Sequence, residues 1–200
     1  MKTEIAAGIL AGGKNSRMFG RDKSFIGIKG TSIIERTIRL FEEIFGEIIL
    51  VTNSPGDYKD YAGRVIMVED EIKDSGPLGG IHAGLSRTSK ESVFFVACDM
   101  PFLHNDLICR QLDYFNKIEC DCLVPKIGNL VEPLHAIYKM KLKGGISDLL
   151  KYRNDLSIRS FLKTIRTSYF DLTPSLINQR IFQNLNTPDD LKRLEGSPWK

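Results

Sequence analysis

The sequence predicts an α/β fold, a mostly parallel β-sheet with helices packed on both faces. Three observations predict it. Short apolar runs rich in Ile and Val recur through the first half of the chain. Stretches of helical periodicity lie between them, and the first run feeds directly into a glycine-rich segment. Continuous apolar runs without polar alternation suit strands buried on both faces, as in a parallel sheet.

Residues 5–10, 48–52, 65–68 and 93–97 are the four compact runs. Between the first two, Ile33, Ile34, Ile38, Phe41 and Phe45 fall at near-helical spacing with charges opposite, which predicts a helix over 32–45. Ser32 with Glu35 three residues later reads as a capping box. A second helix is predicted over 78–86, entered through Gly76-Pro77. The order strand–helix–strand–strand–helix–strand gives a three-layer, Rossmann-like arrangement. Beyond Asn105 the texture changes. Residues 106–118 read as an amphipathic helix, 122–125 and 134–138 as strands, 145–152 and 157–162 as short helices, and 169–172 as an edge strand. Thr187-Pro188-Asp189-Asp190-Leu191 opens a last helix, with Thr at the N-cap, Pro at the first helical position and two acids facing the dipole. No repeat, low-complexity tract or flexible linker interrupts the chain. One domain over 1–200 is expected, with functional halves at 1–104 and 105–200.

Composition bounds the function. The chain has 200 residues, 42% hydrophobic and 26% charged, which excludes a disordered tail, a fibrous repeat and a membrane bundle. Its formal charge of +3 does not suit a protein that coats nucleic acid. Cys98, Cys109, Cys120 and Cys122 are too sparse for a secreted disulfide framework. The apolar opening after Lys2 resembles a weak leader, but Glu4 and Gly8, Gly12 and Gly13 break that pattern. No apolar run approaches the ~20 residues that span a bilayer. A cytoplasmic protein without membrane or nucleic-acid partners is expected.

The first run ends in Leu10-Ala11-Gly12-Gly13-Lys14-Asn15-Ser16-Arg17-Met18-Phe19-Gly20-Arg21-Asp22-Lys23. Glycines let backbone N–H groups approach phosphate oxygens, and Arg17 and Lys23 add charge-assisted contacts. The segment has neither the Gly-Lys-Ser/Thr ending of a Walker loop nor the G-x-G-x-x-G pattern. A solvated surface turn is the alternative on residue types alone. Position adds to the case, because ligands of open α/β sheets sit at the carboxyl ends of strands. A second strand ends in Ala97-Cys98-Asp99-Met100-Pro101, which sets a carboxylate near the first loop. Mg²⁺ takes one or two carboxylates together with substrate phosphates. Asp99 capping a turn is the competing reading. The histidines His82, His104 and His135 have scattered neighbours and do not make a zinc site. His135, beside Glu132, is read as a satisfied core or turn histidine, with contact to substrate as the alternative.

These blocks resemble the molybdenum cofactor guanylyltransferases, within the larger nucleotidyltransferase group. The resemblance rests on Leu10-Ala11-Gly12-Gly13, Ser16-Arg17-Met18, Gly20, Asp22-Lys23, Asn53, Asp70, and Gly76-Pro77-Leu78-Gly79-Gly80. It continues through Cys98-Asp99-Met100-Pro101, Glu132-Pro133-Leu134-His135-Ala136-Ile137-Tyr138 and Asn184-Leu185-Asn186-Thr187-Pro188. The opening loop marks the wider group, and its combination with the closing Asn-x-Asn-Thr-Pro is more specific. The chain departs at Phe19, where the family often has Gly.

The resemblance implies a sheet of the nucleotide-diphospho-sugar transferase type, with a nucleotide-binding half and a molybdopterin-acceptor half. It implies that Leu10, Ala11, Gly12, Gly13, Lys23, Asn53, Asp70 and Asp99 bind GTP. Arg17, Lys23 and Asp99 would be catalytic, and Asp99 would also hold Mg²⁺, with Mn²⁺ as a substitute. Arg159, Asn184 and Asn186 are its acceptor-side candidates, and Gly12 favours guanine over cytosine. The implied reaction moves GMP onto the phosphate of molybdopterin, with molybdoenzymes or cofactor-pathway proteins as partners. A cytidylyl- or sugar-phosphate nucleotidyltransferase and a non-catalytic GTP-binding delivery protein remain open at this point.

Overall fold

The computed structural model describes residues 2–11, 17–18, 21–70, 72, 75–152, 157–185 and 190. In chain order the strands are β1 (Ala6–Leu10), β2 (Arg17–Met18), β3 (Arg21–Asp22), β4 (Gly27–Ile28), β5 (Thr31–Ser32), β6 (Ile48–Val51), β7 (Ile66–Val68) and β8 (Ser92–Ala97). They continue with β9 (Cys122–Ile127), β10 (Leu130–Val131), β11 (His135–Lys139) and β12 (Thr167–Leu172). The helices are α1 (Ile33–Ile44), α2 (Gly76–Arg87), α3 (Asn105–Phe115), α4 (Lys143–Tyr152), α5 (Ile158–Leu162) and α6 (Leu176–Ile181).

Eight strands form one sheet in the order β10-β9-β11-β8-β1-β6-β7, with β12 paired to β9. The pairs β8/β1, β1/β6 and β6/β7 are parallel, as is β12/β9. Strand β11 runs against both β8 and β9. The carboxyl ends of β1, β6, β7 and β8 therefore lie along one rim, and the reversed β11 starts at that rim. The sheet runs without a break from the first half of the chain into the second.

Alternation along the strands explains the two helical layers. In β8, Phe94 and Val96 enter one core with α1 and α3, whereas Val93 and Phe95 enter another with α2, α4 and α5. A strand covered on both faces has no polar side to show, which is why its sequence reads as a continuous apolar run. Phe41, Phe45 and Phe94 form a ring cluster on the first face, with centroids 5.1–6.0 Å apart. Burial of such side chains contributes about 1.5–3 kcal/mol each. On the second face the Phe95 ring fills the space left by Gly84, where a Cβ would come within 2.6 Å of it.

The predicted elements all form within the described residues, with ends shifted by one to three residues in most cases. Residues 187–189 and 191, which hold most of the last predicted helix opening, lie outside the described residues. The capping box forms by half. Ser32 Oγ accepts from the Glu35 N–H at 3.3 Å, but the Glu35 carboxylate goes to Arg39 and Arg64 instead of returning to the cap. Strand β10, helix α6 and the two hairpins built of two-residue strands, β2–β3 and β4–β5, are not expected from the sequence, because elements this short hold no measurable periodicity. One of them turns through Lys29-Gly30, both at positive φ (51° and 82°), as a type I′ hairpin requires.

Candidate active site at the carboxyl-end rim

Lys23 follows the β2–β3 hairpin, in which Arg17 stands opposite Asp22. Asp22 caps the next turn by accepting from the Ser24 N–H at 3.0 Å. Ser24 Oγ lies 2.7 Å from the Tyr58 hydroxyl, and the Phe25 ring packs 4.8 Å from the Tyr58 ring. This latch seats Lys23 in the protein with only 6% exposure. Its Nζ lies 3.7 Å from Asp99 Oδ2.

Asp99 sits one residue past Cys98, whose N–H donates to the Leu10 carbonyl at 3.1 Å. The Asp99 turn is thereby tied to the end of β1. Burial pushes the Asp99 carboxyl above its ordinary range, against the pull of Lys23 and with a smaller push from Asp22. At 3.7 Å the lysine is beyond hydrogen-bonding distance and offsets the desolvation only in part.

The neighbouring strand ends bring Asn53 and Asp70 together. Asn53 Oδ1 accepts from the Asp70 N–H at 3.0 Å, and Asp70 Oδ1 accepts from the Ile72 N–H at 3.0 Å. The Asp70 carboxylate lies against the bare Cα of Gly79 in α2, in space a Cβ would occupy. Leu10 packs against Gly80 of the same helix, and the Ala11 N–H donates to the Val51 carbonyl at 2.8 Å. Leu10, Ala11, Lys23, Asn53, Asp70 and Asp99 thus share one rim. Of Arg17 only the backbone is described, while Gly12, Gly13, Phe19 and Asn186 lie outside the described residues.

The acceptor-side candidates divide. Asn184 adjoins the site, since the Leu185 N–H donates to the Asp99 carbonyl at 2.9 Å. Asn184 Oδ1 is buried with no hydrogen-bond partner among the described residues. Arg159 lies on a cleft of about 310 Å³ shared with Glu132, Leu134 and Pro77.

His135 corrects an expectation. It is fully buried between the Phe94 and Phe182 rings, at 5.0 and 5.2 Å, but neither ring nitrogen has a partner among the described residues. Burial holds its pKa down at about 4, so the ring is neutral. The sequence reading also passed over two contributors, the Ser24–Tyr58 latch and the Glu132 carboxylate.

Among the described residues no group of three or more His, Cys, Asp or Glu side chains converges. The largely buried Asp99 carboxylate at the strand-end rim nevertheless fits Mg²⁺, which takes one or two carboxylates and fills its shell with phosphate oxygens and water.

A Rossmann-like sheet with a lysine–carboxylate pair at its carboxyl-end rim defines a nucleotidyltransferase. The MobA-like NTP transferase domain matches residues 7–169. A molybdenum cofactor guanylyltransferase of Syntrophotalea carbinolica is 34% identical, over 94% of this chain and 89% of the relative. A probable molybdenum cofactor guanylyltransferase of Clostridium perfringens is 35% identical, over 94% of this chain and 95% of its own. The crystal structure of molybdopterin-guanine dinucleotide biosynthesis protein A from Archaeoglobus fulgidus superposes with a TM-score of 0.78 at 25% identity, covering 96% of this chain and 97% of that one. The chain belongs to the MobA-like NTP transferase family, among the molybdenum cofactor guanylyltransferases.

Proposed function

We propose that this protein transfers GMP from GTP to the terminal phosphate of molybdenum-molybdopterin, forming the guanine dinucleotide cofactor and releasing pyrophosphate. The observation that carries the reading is the Lys23–Asp99 pair, 3.7 Å apart on a rim shared with Asn53 and Asp70. An oxygen of the acceptor phosphate attacks the α-phosphorus of GTP. The bond from that phosphorus to the β-phosphate bridge breaks, and pyrophosphate leaves with the electron pair.

The nucleophile is already anionic, so the site needs no strong general base. The difficulty is holding two polyanions together and stabilising charge on the departing pyrophosphate. Positioning and electrostatics then supply the rate enhancement. Lys23, fixed by the Asp22 cap and the Tyr58 latch, meets the triphosphate with little loss of side-chain freedom. Arg17, in the hairpin before it, adds a second cation. Leu10, Ala11, Gly12 and Gly13 would bind the nucleotide, and Asn53 and Asp70 its guanosine. Asp99 would hold Mg²⁺, or Mn²⁺ in its place, which when bound neutralises phosphate charge. Asn184 and Asn186 would bind the acceptor.

The site serves one chain with a nucleotide half over 1–104 and an acceptor half over 105–200. Four free cysteines support a reducing, cytoplasmic setting, where molybdoenzymes or cofactor-pathway proteins would receive the product. Among the described residues no helix is long and apolar enough to cross a membrane.

The test is pyrophosphate release with Mg²⁺ and purified molybdopterin, with GTP, CTP, UTP and ATP supplied in turn. GTP alone should support turnover. Turnover with CTP in place of GTP would reassign the chain as a cytidylyltransferase. Tight GTP binding without pyrophosphate release would make it a delivery protein.

A further inference from the structure

The return from β10 to β11 brings a carboxylate to the rim. Strand β9 passes into β10 through a two-residue turn opened by Gly128 at φ 58°, a conformation L side chains rarely adopt. The chain then closes on itself at Glu132. Its N–H donates to the Pro125 carbonyl at 3.1 Å, and its own carbonyl accepts from the His135 N–H at 3.2 Å. Its Oε1 accepts from the Leu134 N–H at 3.1 Å. The side chain is therefore preset before any ligand arrives.

Glu132 lines the cleft of about 310 Å³ that Pro77, Val131, Leu134, Ile158 and Arg159 also line. The walls are largely apolar, with one anionic and one cationic group. Burial raises the Glu132 carboxyl above its ordinary range, the Leu134 N–H and Arg159 oppose that rise, and the charge of Asp99 adds to it. The Leu134 carbonyl of this cleft accepts from the Ala97 N–H at 3.1 Å, two residues before Asp99, which ties the cleft to the strand end that carries the site.

We propose that this cleft receives the flat heterocycle of the acceptor, with Glu132 accepting hydrogen bonds from the adjacent N–H groups of a 2-amino-4-oxo pyrimidine edge and Arg159 meeting an anionic substituent. The assignment rests on the GMP-transfer reading above. A carboxylate has about four lone-pair sites, so the Leu134 N–H leaves capacity for a paired contact. Two neighbouring N–H donors match the two oxygens of a carboxylate, the pairing by which Glu and Asp read donor edges generally. The apolar walls suit the faces of a ring and suit a hydrated Mg²⁺ poorly.

Glu132→Gln keeps the shape and an acceptor for the Leu134 N–H, but replaces one acceptor by a donor. The assay follows two readouts in the full chain. One is fluorescence titration with 6-hydroxymethylpterin and with its monophosphate. The other is steady-state kinetics with GTP and molybdopterin over a Mg²⁺ series. Glu132→Gln should weaken both pterins and raise the molybdopterin KM by about 10- to 100-fold, with the GTP KM and Mg²⁺ requirement within about twofold. Arg159→Ala should weaken only the monophosphate. Three results would overturn the assignment. They are no pterin binding by the wild-type chain, unchanged pterin affinity in Glu132→Gln, and a raised Mg²⁺ requirement in its place. Pterin binding that depends on Glu132 without any GMP transfer would leave the cleft assignment standing and remove the proposed reaction. GMP transfer with an unchanged acceptor KM in Glu132→Gln would do the reverse.

Discussion

Two charged regions of this molecule are built from similar residues and behave oppositely. On the outer face of α1, Arg64 donates to Glu42 twice and to Glu35 once, each at 2.8 Å, and Arg39 also bonds Glu35. Hydrogen bonds from Arg64 hold the Glu42 carboxyl below its ordinary range. Burial would push Glu35 up, yet Arg64 and Arg39 together hold it down as well. At the rim, Lys23 and Asp99 stand 3.7 Å apart, both largely buried, and Asp99 shifts upward. The surface cluster has its charges matched by short hydrogen bonds. At the rim the desolvation of Asp99 exceeds what Lys23 returns, and an incoming cation can supply the rest. Short hydrogen-bonded contacts mark the structural cluster here, and a longer pair with a raised carboxyl marks the site.

Removing the rim pair should have the largest effect. Lys23→Ala and Asp99→Asn are each expected to lower turnover by about 10²- to 10³-fold, the scale for losing one transition-state charge partner. Steady-state rates on variants checked for folding by circular dichroism measure this. Next comes base recognition. Asn53→Ala removes the acceptor of the Asp70 N–H and should weaken GTP binding by about tenfold, or about 1.4 kcal/mol, by calorimetry. An unchanged affinity would show that the Asn53–Asp70 pair only shapes the loop.

His135 gives a smaller effect that is read in stability. Its pKa is depressed from 6.5 to about 4, so the unfolded chain takes up a proton first as pH falls. Stability is therefore lost between about pH 6.5 and 4, by up to about 3 kcal/mol at the acid end. His135→Leu should flatten the urea-denaturation profile across that window, and a profile with the wild-type slope would contradict it. The smallest effect belongs to the surface cluster. Arg64→Ala should cost about 0.5–1 kcal/mol, less at high salt, and leave turnover within about twofold.

Much of the rim was legible in the sequence because strand-end logic is local. A buried run followed at once by Asp99, and another by the glycine loop leading to Lys23, already places both at carboxyl ends once the sheet is parallel. Asn53 and Asp70 followed from resemblance, and the hydrogen bond between them depends on a pairing of β6 and β7 that no periodicity encodes. Glu132 was legible as part of a motif but not as a cleft residue, because its place depends on a two-residue turn and on α5 folding against it. The reading of His135 as a satisfied histidine was incomplete. Burial follows from an apolar strand, whereas hydrogen-bond satisfaction depends on groups distant in sequence: Gln111 donates to the His135 carbonyl at 3.3 Å, but no described residue partners the imidazole nitrogens.

The most direct measurement is single-turnover transfer of label from GTP carrying a radioactive α-phosphate, with Mg²⁺ and molybdopterin, in the wild-type chain and in Asp99→Asn. The label should appear in a pterin–guanine dinucleotide, one equivalent per pyrophosphate released, and should be nearly absent with the folded variant. Label transfer by Asp99→Asn at close to the wild-type rate would contradict the placement of the reaction at the Lys23–Asp99 rim.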